Sequence, residues 1–187
     1  MKKTAYFAIY LAVLGMIVTL IAYLGYNYTQ PIIIANTNKK ISDNIALLFD
    51  PEEGYKKNDD QADNKYRQDS SEYSSITDIY EVLDQDDELF ALIYDMNIQG
   101  RNDVIYGLVA VDPFTETIIG VTYYDHAETP NLGEKYTRDE EIEKLVGQSI
   151  ADVDVDQLAG ATTTWNALET MYDKLYEHYN KEVNINE

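Results

Sequence analysis

Cysteine is absent from all 187 residues of this sequence. Its absence excludes disulfide bonds, iron–sulfur clusters, thiolate metal sites and lipoprotein attachment. Histidine is scarce as well, and the chain contains two, His126 and His178. They are too few and too far apart in sequence to indicate a zinc site. The sequence therefore predicts no metal centre, and we expect His178 to be exposed among the charged residues of a helix.

Basic residues are heavily outnumbered, since 14 Lys and Arg face 34 Asp and Glu for a formal net charge of -20. Such a chain is repelled by a nucleic-acid backbone and by an anionic lipid surface. The sequence also contains no Gly-x-Ser-x-Gly elbow and no nucleotide-binding Gly-rich loop. These absences argue against nucleic-acid binding, serine hydrolysis and nucleotide hydrolysis.

Charge is absent altogether from residues 5–26. An apolar run of about 20 residues is long enough for a helix to cross a bilayer. A signal peptide is the competing interpretation, but its apolar region is normally about 7 to 15 residues long and ends at a small-residue cleavage site. Lys2 and Lys3 precede the run, which favours a cytoplasmic N-terminus. We predict a single-pass cell-membrane protein with an anchor over residues 1–29 and the rest of the chain extracytoplasmic.

Beyond the anchor, composition divides the chain into three parts. Gln30-Pro31 is expected to interrupt the helix, and residues 30–49 then show the spacing of a short amphipathic juxtamembrane helix. Residues 50–80 are polar and acidic, as is typical of an insertion or loop. Residues 81–187 form the remaining domain.

The period of the apolar residues changes within this last domain. Three segments rich in Val, Ile and Tyr, at 89–98, 103–112 and 116–126, are separated by turn residues and predict three antiparallel strands. From Trp165 to Val183, apolar residues recur every three or four positions, which indicates one face of a helix. The predicted class is α+β, with helices covering one side of an antiparallel sheet.

A cluster of small and hydroxyl residues, Asp156 to Thr164 (DQLAGATTT), ends where this helix is predicted to begin. The cluster has two interpretations. Thr163 or Thr164 could cap the helix by accepting hydrogen bonds from its first free amides. Alternatively, the free amides and the positive end of the helix dipole could bind an anion such as a phosphate.

The same stretch resembles the flavinylation motif of FMN-binding domains, Asp-x-x-Ser/Thr-Gly-Ala-Thr-x-Thr/Ser. That family includes the G subunit of Rnf complexes and the C subunit of sodium-translocating NADH:quinone reductase. The resemblance implies that a flavin transferase joins FMN through a phosphoester to Thr162. It also implies cofactor-binding positions at Asp156, Gly160, Ala161, Thr163 and Thr164. Ala159 departs from the family pattern, which has a hydroxyl residue there.

A second family element lies upstream at residues 126–133 (HAETPNLG), which resembles the Glu-Thr-Pro-Gly-Leu-Gly loop that lies against the flavin. The resemblance implies cofactor contacts from Glu128, Thr129, Leu132 and Gly133. Asn131 replaces the first glycine of that loop. Asparagine tolerates a left-handed backbone better than most residues do, so we expect the turn to survive.

The resemblance implies an electron-transfer subunit of an Rnf-type, ion-translocating membrane complex, which relays electrons through covalent FMN. Its partners would be the other membrane subunits and the flavin transferase, and it would be a redox carrier rather than an independent enzyme. Two alternatives remain open. One is a stand-alone, membrane-anchored flavoprotein for extracellular electron transfer, and the other is a tethered interaction domain that has lost flavin.

Overall fold

The computed structural model describes residues 2–49, 55–57, 66 and 73–183. By its internal contacts the chain divides into two units, residues 1–42 and 43–187. Most of the predicted insertion at 50–80 lies outside the described residues. Within it the structure describes a two-residue strand, a few isolated positions and the beginning of a longer strand.

A single long helix, α1, runs over Lys2–Leu48. Among the described residues it is the one helix long and apolar enough to cross a membrane. The predicted interruption at Pro31 is wrong, because Pro31 lies inside this continuous helix. Proline removes one backbone donor, a loss that long apolar helices can tolerate.

The second unit is built on an antiparallel meander. Its strands are β1 (Lys56–Lys57), β2 (Ile76–Leu83), β3 (Leu89–Gln99), β4 (Val104–Asp112) and β5 (Thr117–Asp125), and they lie side by side in that order. The three predicted strands correspond to β3, β4 and β5. Strand β2 was not predicted, and it begins before residue 81, where the sequence placed the start of the domain.

After β5 the chain forms a 3₁₀ helix (Gly133–Thr137), the short helix α2 (Asp139–Ile142) and the helix α3 (Thr162–His178). A π-helical turn over Tyr179–Val183 follows α3. The predicted apolar stripe of the last helix is confirmed, and the helix starts three residues earlier than predicted. The predicted α+β class is also confirmed.

Helix α3 packs on one face of the sheet, where Leu168, Met171 and Leu175 are fully buried. The Tyr123 and Tyr172 hydroxyls meet there at 2.9 Å. Burial of such side chains is the main stabilising contribution in a domain of this size.

The opposite face of the sheet is covered by the last turns of α1. Leu48 packs so closely on Gly120 that a Cβ there would lie 2.8 Å from its side chain, and the Thr122 hydroxyl donates to Asn44 at 2.8 Å. Helices therefore lie on both faces of the sheet, not on one side as predicted.

The prediction that His178 is exposed is wrong. Its side chain is buried at 1% exposure, with Nδ1 3.3 Å from the Tyr94 hydroxyl and the ring edge-on to Tyr73. Burial lowers the pKa of His178. The residue lies on the apolar side of α3, in register with Met171 and Leu175, and this explains its burial.

Candidate functional site

Glu128 lies in the loop after β5 and is buried, with 5% of its surface exposed. Its Oε1 accepts the backbone N–H of Arg101 at 2.8 Å and that of Asn102 at 3.2 Å. Its Oε2 accepts the hydroxyl of Thr164 at 2.5 Å. One carboxylate therefore joins three segments that are distant in sequence: the β3–β4 turn, the loop after β5 and the first turn of α3.

Two glycines make room for this carboxylate. A Cβ at Gly133 would overlap Oε2 of Glu128 and would come within 2.5 Å of Oγ1 of Thr164. A Cβ at Gly100 would lie 2.5 Å from Oε1. Real Cβ atoms do not approach other atoms this closely, so the absence of a side chain at both positions is a packing requirement.

The loop after β5 is held to the β3–β4 turn by Asn102 as well. Its Nδ2 donates to the carbonyl of Ala127 at 2.9 Å and to the hydroxyl of Thr129 at 3.1 Å. Asn131 has φ of 60°, so the left-handed turn expected at this position is present. Its backbone N–H donates to Oε2 of Glu134 at 2.9 Å.

Helix α3 begins at Thr162, and Ala161 occupies the cap position without a side-chain cap hydrogen bond. The prediction that Thr163 or Thr164 caps the helix is therefore wrong. Both lie inside the first turn, and the hydroxyl of Thr164 donates to Glu128 instead. The first helical bond runs from the Trp165 N–H to the Ala161 carbonyl at 2.9 Å. The amides before Trp165 in the helix thus have no partner within it.

The three threonines of this first turn differ in exposure. Thr162 and Thr163 are exposed, whereas Thr164 is buried at 1% exposure. Just before them, Gly160 has φ of 81°, and a Cβ there would lie 3.1 Å from the side chain of Leu132. The two sequence motifs are therefore brought together twice, by Glu128 with Thr164 and by Leu132 with Gly160.

Asp156 does not join the Glu128 cluster. Its side chain is 57% exposed and pairs with Lys144 at 2.8 Å, and this hydrogen bond, with a second to Glu141, raises the pKa of Lys144. Its carbonyl accepts the hydroxyl of Tyr136 at 3.0 Å, and the same hydroxyl accepts the N–H of Leu158 at 2.9 Å. Tyr136 thereby fixes the segment that leads to α3.

His126 opens the second motif and lies beside the 3₁₀ helix. Its Nε2 is 3.4 Å from the Thr137 hydroxyl. In the described part of the chain, no group of three or more His, Cys, Asp or Glu residues could hold a metal ion.

Comparison with known proteins gives this geometry a family context. Residues 100–177 match the family model of the FMN-binding domain. The resemblance predicted from the two motifs is confirmed over this segment. The matched residues begin at the β3–β4 turn and end one residue before the end of α3, so they contain every contact of the Glu128 cluster.

Two similar proteins are C subunits of a Na(+)-translocating NADH-quinone reductase. The chain is 37% identical over 76 residues to the C subunit of the Na(+)-translocating NADH-quinone reductase of Neisseria meningitidis. The matched segment covers 41% of this chain and 30% of that protein. It is 29% identical over 114 residues to the corresponding protein of Vibrio alginolyticus, covering 51% of this chain and 44% of that protein. The chain thus matches less than half of the length of these relatives.

A solved structure, that of NqrC from Shewanella oneidensis, is also similar. It overlaps with a TM-score of 0.46 at 26% identity, covering 51% of this chain and 52% of that one.

Sequence reasoning missed the contribution of the β3–β4 turn. Gly100, Arg101 and Asn102 were interpreted only as turn residues, yet each packs against or bonds to the loop after β5. Tyr136 was missed in the same way. A single sequence carries no signal for either, because the contacts join residues that are twenty or more positions apart.

Proposed function

We propose that this protein is an electron-transfer subunit of a membrane-bound, ion-translocating redox complex, with FMN bonded covalently to Thr162. The observation that carries the proposal is the meeting of the two motifs. The loop of Glu128 and Leu132 lies against the start of α3, and an exposed Thr162 occupies the first position of that helix.

The residues present fit the phosphate end of FMN. Thr162 is exposed, so a separate transferase can reach its hydroxyl. The amides of Thr162, Thr163 and Thr164 precede the first helical bond and can donate to phosphate oxygens. Gly160 has a positive φ and no side chain, which lets a bulky group approach the backbone. The loop residues Thr129, Leu132 and Gly133, together with Ala161, then form the surroundings of the flavin.

Attachment requires an activated donor, because the phosphoester forms with formal loss of water. We propose that a transferase uses a phosphoanhydride of FMN. The oxygen of Thr162 bonds to the FMN phosphorus, the anhydride bond breaks, the other phosphate group leaves, and the hydroxyl proton goes to solvent. No electron changes hands in this step. Bound FMN would supply the redox chemistry, and the protein would set its position.

The apolar part of α1 supports a membrane location for this function. A membrane anchor would hold the flavin domain near the subunits with which it exchanges electrons, at a high effective concentration. We propose a cytoplasmic N-terminus, an extracytoplasmic flavin domain, and partner subunits of the Rnf type. A tether also retains the cofactor outside the cytoplasm, where lost FMN would not be replaced.

Intact mass measurement tests the attachment. The full-length chain is expressed with a flavin transferase, denatured and weighed, and its in-gel fluorescence is recorded. Wild type should gain the mass of FMN less one water, and Thr162→Ala should not. Thr163→Ala is the matched control, because it removes the neighbouring exposed hydroxyl and should leave the modification intact. An unmodified wild-type chain, or flavin that is lost in Thr163→Ala instead, would disprove attachment at Thr162.

The complex itself is tested by purifying the protein from its native membrane. Recovery of Rnf-type membrane subunits with the chain supports the Rnf assignment. Recovery of sodium-translocating NADH-quinone reductase subunits would replace it with the complex of the matched relatives. A flavin-bearing chain that is purified without redox subunits would indicate a stand-alone carrier.

A further inference from the structure

We propose that Glu128 is a positioning residue, which fixes Thr162 by holding the first turn of α3 against the β3–β4 turn and does not itself bind the flavin. The inference rests on the proposed function of Thr162. It assigns the loop carboxylate a role different from the cofactor contact that the family resemblance implies.

The hydrogen bonds of Glu128 are already directed into the protein. An ionised carboxylate offers about four lone-pair sites, and three of them accept bonds, from Arg101, Asn102 and Thr164. A buried carboxylate is stable only when such donors replace water. With 5% of the residue exposed, little of Glu128 is left to meet a ligand.

The start of α3 needs the support that Glu128 gives. Helix ends fray unless a cap or a tertiary contact holds them, and Ala161 provides no side-chain cap. Two side-chain hydrogen bonds hold the first turn, from the Thr164 hydroxyl to Glu128 and from the Trp165 indole N–H to the Val155 carbonyl at 2.8 Å. The first of them is the closer to Thr162 in sequence. Because Thr162 is two residues away in the same turn, the bond also sets where the Thr162 hydroxyl is presented.

The other end of this arrangement is rigid. Arg101 and Asn102 belong to the turn between β3 and β4, two long strands that pair over eight residues from Leu92 to Gln99. Asn102 adds two bonds from its side chain to the loop. Because the Glu128 carboxylate bonds to both, the position of the β3–β4 turn determines the position of the first turn of α3.

The test measures the initial rate of flavin attachment by a transferase to the full-length chain, over a range of chain concentrations. Glu128→Gln and Thr164→Val should each lower kcat by about tenfold, the effect of losing one charge-assisted hydrogen bond. The rate loss of the double variant should be much smaller than the product of the two single losses, because both variants weaken the same bond between Thr164 and Glu128. Thr164→Ser keeps the hydroxyl and should restore the rate.

Glu140→Gln is the matched control. Glu140 is an exposed acid of the short helix α2, outside the loop that carries Glu128. Its replacement should leave kcat unchanged. If Glu128→Gln attaches flavin at the wild-type rate, or if the rate losses of the two single variants multiply in the double variant, the positioning role is wrong.

Amide hydrogen exchange on the flavin-free chain separates this proposal from the attachment itself. Glu128→Gln should speed exchange at Arg101, Asn102 and the first turn of α3, while the centre of β3 stays protected. If wild type never acquires flavin but the exchange pattern appears, the attachment proposal fails and the positioning contact stands. Unchanged exchange at these amides would refute the contact whether or not flavin is attached.

Discussion

Asp95 offers a quantitative test of the structure away from the proposed flavin site. It lies in β3 on the sheet face that also carries Thr122, and it is fully buried. Its Oδ1 accepts the hydroxyl of Tyr124 at 2.8 Å, and among the described residues its Oδ2 has no hydrogen-bond partner. Asp78 lies directly opposite on β2. An ionised carboxylate in this position should destabilise the fold.

The expected size follows from the pKa of this carboxyl. Burial raises the pKa of Asp95 to about 6 from 3.8; the Tyr124 hydrogen bond opposes the rise and the charge of Asp78 adds to it. Each pKa unit corresponds to about 1.4 kcal/mol, so the full effect is about 3 kcal/mol. Because the folded pKa lies above the unfolded one, this stability is present below pH 3.8. It is lost as the pH rises through 6.

Replacement of Asp95 by Asn removes this pH dependence. By the linkage relation, wild type has already lost about 1 kcal/mol of its free energy of unfolding at pH 4.5, and about 3 kcal/mol by pH 8. The free energy of unfolding of Asp95→Asn relative to wild type should therefore rise by about 2 kcal/mol between these two pH values. Any constant cost of the buried amide cancels in this difference.

Urea unfolding of the full-length chain in detergent measures the effect. Trp165 is the single tryptophan of the chain and lies half-buried at the start of α3, so its fluorescence reports unfolding of the domain. Asp173→Asn, at an exposed position of α3, removes the same formal charge and is the control. A variant-to-wild-type difference that is equal at pH 4.5 and pH 8 would show that Asp95 is not buried as described.

Two further substitutions probe the packing and the bonds around the proposed flavin site. Gly133→Ala should lower the free energy of unfolding by about 1 to 3 kcal/mol, because its Cβ would overlap Glu128 and Thr164; an unchanged urea midpoint would contradict this packing. Tyr136→Phe removes the bonds to Asp156 and Leu158 and should cost about 1 to 3 kcal/mol. It should also speed amide exchange at Leu158, and exchange at the wild-type rate would show that the hydroxyl does not hold this segment.

The periodic parts of the fold could be predicted from the sequence. Strands β3, β4 and β5 are dense in Val, Ile and Tyr, and the stripe of α3 repeats every three or four residues, so each pattern matches the face that it buries. Strand β2 was missed because its residues follow a long polar stretch and include Thr77, Asp78 and Glu81. Composition alone assigned them to the insertion.

Local rules failed where context beyond the neighbouring residues decides the structure. Pro31 was taken as a helix boundary, but α1 continues through it. His178 was assigned to the surface from the charges beside it in sequence, although its helical register with Met171 and Leu175 already pointed to the core. In both cases the identity of one residue was given more weight than the pattern around it.

The candidate site was predictable as motifs but not as a geometry. The motifs located Thr162 and Glu128, yet they did not show that Glu128 bonds to Thr164, 36 residues away, or to the turn at Arg101. Contacts of this range depend on how the sheet and α3 pack, which no local pattern encodes. Only the structure therefore shows which residues of the site are buried and hydrogen-bonded and which are exposed.

Helix geometry explains why neighbouring threonines have different environments. Residues two positions apart on a helix differ in direction by about 200°, since a turn contains 3.6 residues. Thr164 therefore turns inward to Glu128, whereas Thr162 is exposed to solvent. Ala159 precedes the helix and is exposed as well, so a hydroxyl at this position would face solvent and not the core. A Ser at this position should therefore change the rate of attachment and leave the free energy of unfolding unchanged.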